Sequence, residues 1–149
     1  MRPIELREDA PAKPEHDAAT ELARRAGALL LDLRSRSPHS KRALSDEGDR
    51  CSHEFLMAQL ATRFPQDPVR SEEGHDSPGA ERLWVIDPLD GSREYGEGRE
   101  DWAVHVALAE GGRPAVGLVQ SGRARERTPD VRSSARWRTV GLSPAPGRW

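Results

Sequence analysis

The chain has a single cysteine, Cys51, among 149 residues. That excludes an intramolecular disulfide framework and a Cys-rich zinc module. No apolar run approaches the ~18 residues that would span a bilayer. The opening stretch, MRPIELREDAPAKPEHD, has no apolar segment of the kind a secretory signal needs. These absences predict a cytoplasmic protein with no membrane association. Apolar residues make up only 35% of the chain and charged ones 32%, so it can bury one modest core. Lysine is scarce as well. Only Lys13 and Lys41 occur, and the other 21 of the 23 basic residues are Arg.

The charge is unevenly distributed. Residues 1–119 hold 16 basic and 23 acidic residues, whereas 120–149 hold seven Arg and two acids. The Arg bias runs through the whole chain, and few aromatics interrupt the basic tail. Neither pattern supports nucleic-acid recognition.

Periodicity divides the chain into three parts: a flexible leader (1–16), a patterned body (17–119) and an Arg-rich, disordered tail (120–149). Ala19, Leu22, Ala23, Ala26, Leu29, Leu30 and Leu33 recur at helical spacing, which predicts a helix over 17–35 with Asp17 as N-cap. Cys51, Phe55, Leu56, Leu60 and Phe64 predict a second helix over 49–64, with Asp49 as N-cap and Pro65 closing it. Val69 to Ser71 fits a short strand. Leu83 to Ile86 is a bulky apolar run that reads as a buried strand ending at Asp87-Pro88. Residues 102–109 alternate, and Glu110 to Pro114 link them to a return strand over 115–119. His105 falls on the more polar face of its strand, while Trp84 and Trp102 are expected in the core. The fold class is α/β, an α+β layered sandwich. Two N-terminal helices pack on a mainly antiparallel sheet that is incomplete at the C-terminus. Such a fold leaves a sheet face uncovered, and the isolated chain is expected to be marginally stable.

Four acids stand at the ends of elements: Asp49, Glu72, Asp87 and Asp90. Asp87-Pro88-Leu89-Asp90-Gly91-Ser92 brings two carboxylates and a free Leu89 carbonyl into one turn. Pro88 fixes φ and has no N–H. Gly91 lets the backbone approach a ligand closely. Hard divalent cations such as Mg²⁺ take oxygens of this kind together with phosphate oxygens. Cys51, Ser52, His53 and His75 lack the spacing of a zinc site. The DxxD spacing is one residue wider than the DxDGT nucleophile motif of haloacid dehalogenases, and no GxSxG elbow is present.

The segment WVIDPLDGSREY resembles the DPxDGT signature of the inositol monophosphatase superfamily. SEEG at 71–74 resembles its upstream acidic pair. Arg93-Glu94-Tyr95 is similar to the "REF" of CysQ-type 3'(2'),5'-bisphosphate nucleotidases, and GDRCSHEFL to their catalytic-Asp helix. This resemblance implies Mg²⁺-dependent hydrolysis of the 3'-phosphate of 3'-phosphoadenosine 5'-phosphate, which clears this by-product of sulfate assimilation. It also implies roles for particular residues. Glu72, Asp87 and the Leu89 carbonyl would hold one Mg²⁺, and Asp87 and Asp90 a second. Asp49 and Ser92 would orient and deprotonate the attacking water. The N–H groups of Gly91 and Ser92 would hold the phosphate of a nucleotide or sugar phosphate substrate. The family's later WDxAA-like metal element has no counterpart in 120–149. A truncated or frameshifted reading frame after about residue 119 is therefore expected. A catalytically dead remnant and an inositol-phosphate phosphatase are the alternatives.

Overall fold

The computed structural model describes residues 14–37, 40–71 and 80–123. Helix α1 (Pro14–Arg36) and helix α2 (Lys41–Arg63) come first, followed by strands β1 (Val69–Ser71) and β2 (Arg82–Asp90). The short helix α3 (Ser92–Gly96) and strands β3 (Ala103–Glu110) and β4 (Arg113–Ser121) complete the order. The strands form one sheet in the order β1-β2-β3-β4. β1 runs parallel to β2, and the other two pairings are antiparallel. Two N-terminal helices on a mainly antiparallel sheet is the expected architecture.

Alternation along the strands decides which face is covered. Trp84, Ile86, Val104, Val106, Leu108, Val116 and Leu118 point to one side and are almost fully buried. They meet the small-residue stripe of α1, in which Ala19, Leu22, Ala23, Ala26 and Leu30 have no exposure. The intervening residues, Asp87 and His105 among them, occupy the opposite face. Trp84 and Trp102 are core residues, as expected.

Both helices start earlier than the periodicity suggests. Asp17 lies within the first turn of α1 rather than at its cap. Helix α2 is capped by Ser40, whose side chain accepts from the Ala43 N–H, so Asp49 sits two turns inside the helix. The buried stripe of α2 is Leu44, Gly48, Ser52, Leu56 and Leu60, with Cys51 and Phe55 at its margin. Gly48 and Ser52 carry no hydropathic signal. They are buried because their small side chains let α2 approach its neighbours closely.

The strands also outrun their expected ends. β2 continues through Asp87-Pro88 to Asp90, its pairing with β3 shifting between Asp87 and Asp90. β4 runs past Val119 to Ser121. Beyond it, the Gly122 N–H donates to the Trp102 carbonyl at 3.0 Å. A Cβ on Gly122 would lie 2.5 Å from the Trp102 ring, so the close approach requires glycine there. The remainder of the basic tail and the leader up to Lys13 lie outside the described residues.

Candidate metal and phosphate site

The site is built where β2 loses its regular register. Trp84 and Ile86 point into the core, so Asp87 points to the open face, opposite His105 of β3. The irregularity then buries Pro88 and Leu89 in succession and releases Asp90 outward. A regular strand would send Asp87 and Leu89 to the same face. The bulge instead returns Leu89 to the core at 5% exposure and leaves two carboxylates near each other. Asp87, Asp90 and His105 each offer a ligand atom, all within 4.8 Å of one another. His105 Nε2 lies 3.2 Å from Asp90 Oδ2.

Gly91 follows with φ of 77°, the left-handed conformation that glycine adopts without steric cost. A Cβ there would meet the Asp101 carbonyl at 2.9 Å. Its own carbonyl accepts from the Tyr95 N–H at 2.9 Å, which closes the first turn of α3 at Ser92. Helix α2 holds this segment from the other side through two hydroxyls. Ser52 Oγ donates to the Pro88 carbonyl at 2.7 Å, fully buried. Ser45 Oγ donates to the Ser92 carbonyl at 2.7 Å. Ser45, Asp49 and Ser52 are spaced to share one helix face. The two serine anchors therefore set the side of α2 that carries Asp49 against the DPLDGS segment.

Asp49 lines a cleft of about 270 Å³ with Asp46, Arg50, His53, Glu54, Ser71 and Pro88. Three acids and a backbone turn make it a polar, predominantly anionic cleft. The guanidinium of Arg50 is engaged by Glu54 at 3.2 Å, which raises its already high pKa. β1 delivers Ser71 to this cleft, beside Ile86 in parallel register. Glu72, the next residue, lies outside the described residues, as does His75. Of the sequence-predicted residues, the structure thus joins Asp87 and Asp90 in one cluster. Leu89, Gly91 and Ser92 lie on the same turn, and Asp49 lines the cleft beside Pro88.

Three contributors escaped the sequence reading. His105 was assigned only to a polar strand face, because nothing in the sequence shows that register pairs it with Asp87. Ser45 and Ser52 are ordinary helix residues until the turn of β2 is placed against them.

The donor set suits a divalent cation. It consists of the carboxylates of Asp87 and Asp90, with the His105 imidazole beside them. Carboxylates and carbonyls favour hard ions, and an imidazole at the margin is compatible with them.

Residues 12–128 match the model of the inositol monophosphatase family. The chain is 48% identical over 95 residues to a 3'-phosphoadenosine 5'-phosphate phosphatase of Mycobacterium leprae, covering 60% of this chain and 35% of that protein. It is 41% identical over 123 residues to the enzyme of the same name from Mycobacterium bovis, covering 74% and 46%. Among solved structures, inositol monophosphatase-II of Staphylococcus aureus superposes with a TM-score of 0.67. That match has 24% identity and covers 75% of this chain and 43% of the other. The chain spans less than half the length of these relatives. The bulged DPLDGS turn, the helix facing it and the family match over most of the sequence lead to one assignment: the chain belongs to the inositol monophosphatase family.

Proposed function

We propose that this chain carries the metal-binding part of a Mg²⁺-dependent phosphomonoesterase that removes the 3'-phosphate of 3'-phosphoadenosine 5'-phosphate. The observation that carries the reading is the meeting of Asp87 and Asp90 at the β2 bulge, within 4.8 Å of each other and of His105. The nucleotide substrate is supported by identity to the two mycobacterial phosphatases and by Arg93-Glu94-Tyr95 directly after the turn.

In this reading Glu72, Asp87 and the Leu89 carbonyl would hold one Mg²⁺, and Asp87 and Asp90 a second. When bound, the ions would supply positive charge against the negative charge developing on the phosphate and its leaving oxygen. The remaining roles fall to the chain's own groups. Asp49 and Ser92 orient the attacking water, and Asp49 accepts its proton. The backbone N–H groups of Gly91 and Ser92 bind phosphate oxygens. Water's oxygen forms the new P–O bond as the bond to the ribose 3'-oxygen breaks, the 3'-oxygen takes up a proton from solvent water, and AMP and phosphate leave.

Phosphate release by the full chain, measured with Mg²⁺ on 3'-phosphoadenosine 5'-phosphate and on inositol monophosphate, tests the proposal. Faster release from the nucleotide, abolished by Asp90→Asn, is expected. Preference for inositol monophosphate would reassign the substrate. No release from either would overturn the enzymatic reading and leave a non-catalytic chain.

A further inference from the structure

The carboxylate of Asp90 is 55% exposed and follows a break in strand pairing. Its backbone rejoins the ladder opposite Ala103, but packing does not fix its side-chain rotamer. Among the described residues its one hydrogen-bonding partner is Nε2 of His105, at 3.2 Å. His105 is held far more firmly. It lies within β3, the strand that pairs with both β2 and β4, opposite Asp87 on one side and Val119 on the other. Its neighbours Val104 and Val106 have no exposure and anchor the strand in the core. The imidazole itself is 29% exposed.

From this contrast we infer that His105 is a positioning residue. It donates its Nε2–H to Oδ2 of Asp90 and thereby aims Oδ1 at a divalent cation shared with Asp87. A carboxylate has two oxygens and about four acceptor directions, so one oxygen can be held while the other ligates. The arrangement also answers a local electrostatic problem. Asp87 lies within the same 4.8 Å cluster. Two like charges that close would drive the exposed Asp90 side chain outward in the absence of cation. An N–H aimed at Asp90 from the neighbouring strand opposes that displacement. Groups that orient ligands without touching the ion are worth about 10–100-fold in metal affinity. The inference rests on the reading of Asp90 as a ligand, and the experiment separates the two.

Mn²⁺ binding to the full chain is followed by electron paramagnetic resonance, with Mg²⁺ measured by competition. Asp90→Asn tests the parent reading and is expected to abolish tight binding. His105→Ala is expected to weaken Mn²⁺ and Mg²⁺ in parallel by about tenfold or more. His105→Gln, whose amide N–H can replace the Nε2–H, is expected to restore affinity to within about threefold of wild type. Thermal melts of the metal-free variants establish that each is folded. Unchanged affinity in His105→Ala overturns the inference. So does a His105→Gln variant as weak as the alanine, since donation would then not be the role. A loss confined to Mn²⁺ also overturns it, because His105 would then be a direct nitrogen ligand preferring the softer ion. If the wild-type chain binds neither ion and Asp90→Asn changes nothing, the parent reading fails and the inference with it.

Discussion

Ser52 donates its hydroxyl to the carbonyl of Pro88 across 2.7 Å, with no exposure to solvent. One buried bond thus joins the middle of α2 to the turn that bears both clustered carboxylates, Asp87 and Asp90. Truncation to Ser52→Ala leaves the Pro88 carbonyl buried without this donor. An unsatisfied buried polar group costs about 1–3 kcal/mol, and a drop of that size is expected in denaturant unfolding. Because the bond fixes the turn, the variant is also expected to lose affinity for Mn²⁺ in calorimetric titration. Stability lost with affinity unchanged would show that the turn holds its shape without the anchor.

Gly48 occupies the point where α1, α2 and α3 meet. A Cβ there would stand 2.6 Å from Tyr95 Cε1 and 3.2 Å from Leu30 Cδ2. The opposing terms can be weighed. Alanine in a helix gains about 1 kcal/mol over glycine, whereas overpacking a tight core costs about 1–3 kcal/mol. Here the obstacle is a rigid ring whose hydroxyl is tied to the Leu30 carbonyl, so the neighbour cannot swing aside. Gly48→Ala is expected to lower stability by up to about 2 kcal/mol net. A stabilised variant in chemical denaturation would mean that α3 shifts readily.

These two residues also mark what could be read in the sequence. A bulky apolar run made β2 legible, alternation made β3 legible, and the leucine stripe made α1 legible. The helical spacing in α2 was visible, but its start was not. Asp49 is a favourable cap residue, and Ser40, the actual cap, lies within a stretch that reads as loop. The inner face of α2 was hidden because Gly48 and Ser52 contribute packing and hydrogen bonding, which hydropathy does not weigh. The paired carboxylates were legible as a motif, since Asp87 and Asp90 lie within four residues of chain. His105 was not, because its proximity to them depends on the register of β2 with β3. The bulge that turns Leu89 inward and Asp90 outward likewise depends on pairing between strands, which local pattern does not encode.

Two carboxylates held within 4.8 Å with a histidine beside them should make stability depend on the ion they bind. A ligand that binds only the folded state, present at 100 times its Kd, adds about 2.7 kcal/mol. For a chain of 149 residues each kcal/mol is worth roughly 2–4 °C in Tm. Saturating Mg²⁺ is therefore expected to raise the melting temperature by about 5–10 °C, and excess EDTA to reverse it. Asp87→Asn and Asp90→Asn should each abolish most of that increase. Calorimetric melts with and without the ion check this, and an equal Mg²⁺ response in all three proteins would place the ion elsewhere.

Tyr95 titrates at the far end of the pH scale for a structural reason. Its ring has no exposure, and its hydroxyl donates to the Leu30 carbonyl at 2.6 Å. Burial disfavours the phenolate and pushes the pKa up to about 12, against 10.0 in the unfolded chain, although the nearby Arg34 guanidinium pulls the other way. A proton held more tightly in the folded state favours folding fully while both states carry it, and that advantage is lost once the unfolded chain releases its own. The contribution is therefore fully present below pH 10 and is lost as pH rises from about 10 through about 12. Two pKa units correspond to about 2.7 kcal/mol. Stability measured by urea unfolding should fall across that window in the wild-type chain, beyond the slope set by Lys and Arg deprotonation. Tyr95→Phe removes the ionisable group and with it this part of the alkaline loss. At neutral pH the variant should be about 1 kcal/mol less stable, the net worth of the hydrogen bond to Leu30. Identical alkaline profiles for the two proteins would show that the phenol reaches solvent before the fold opens.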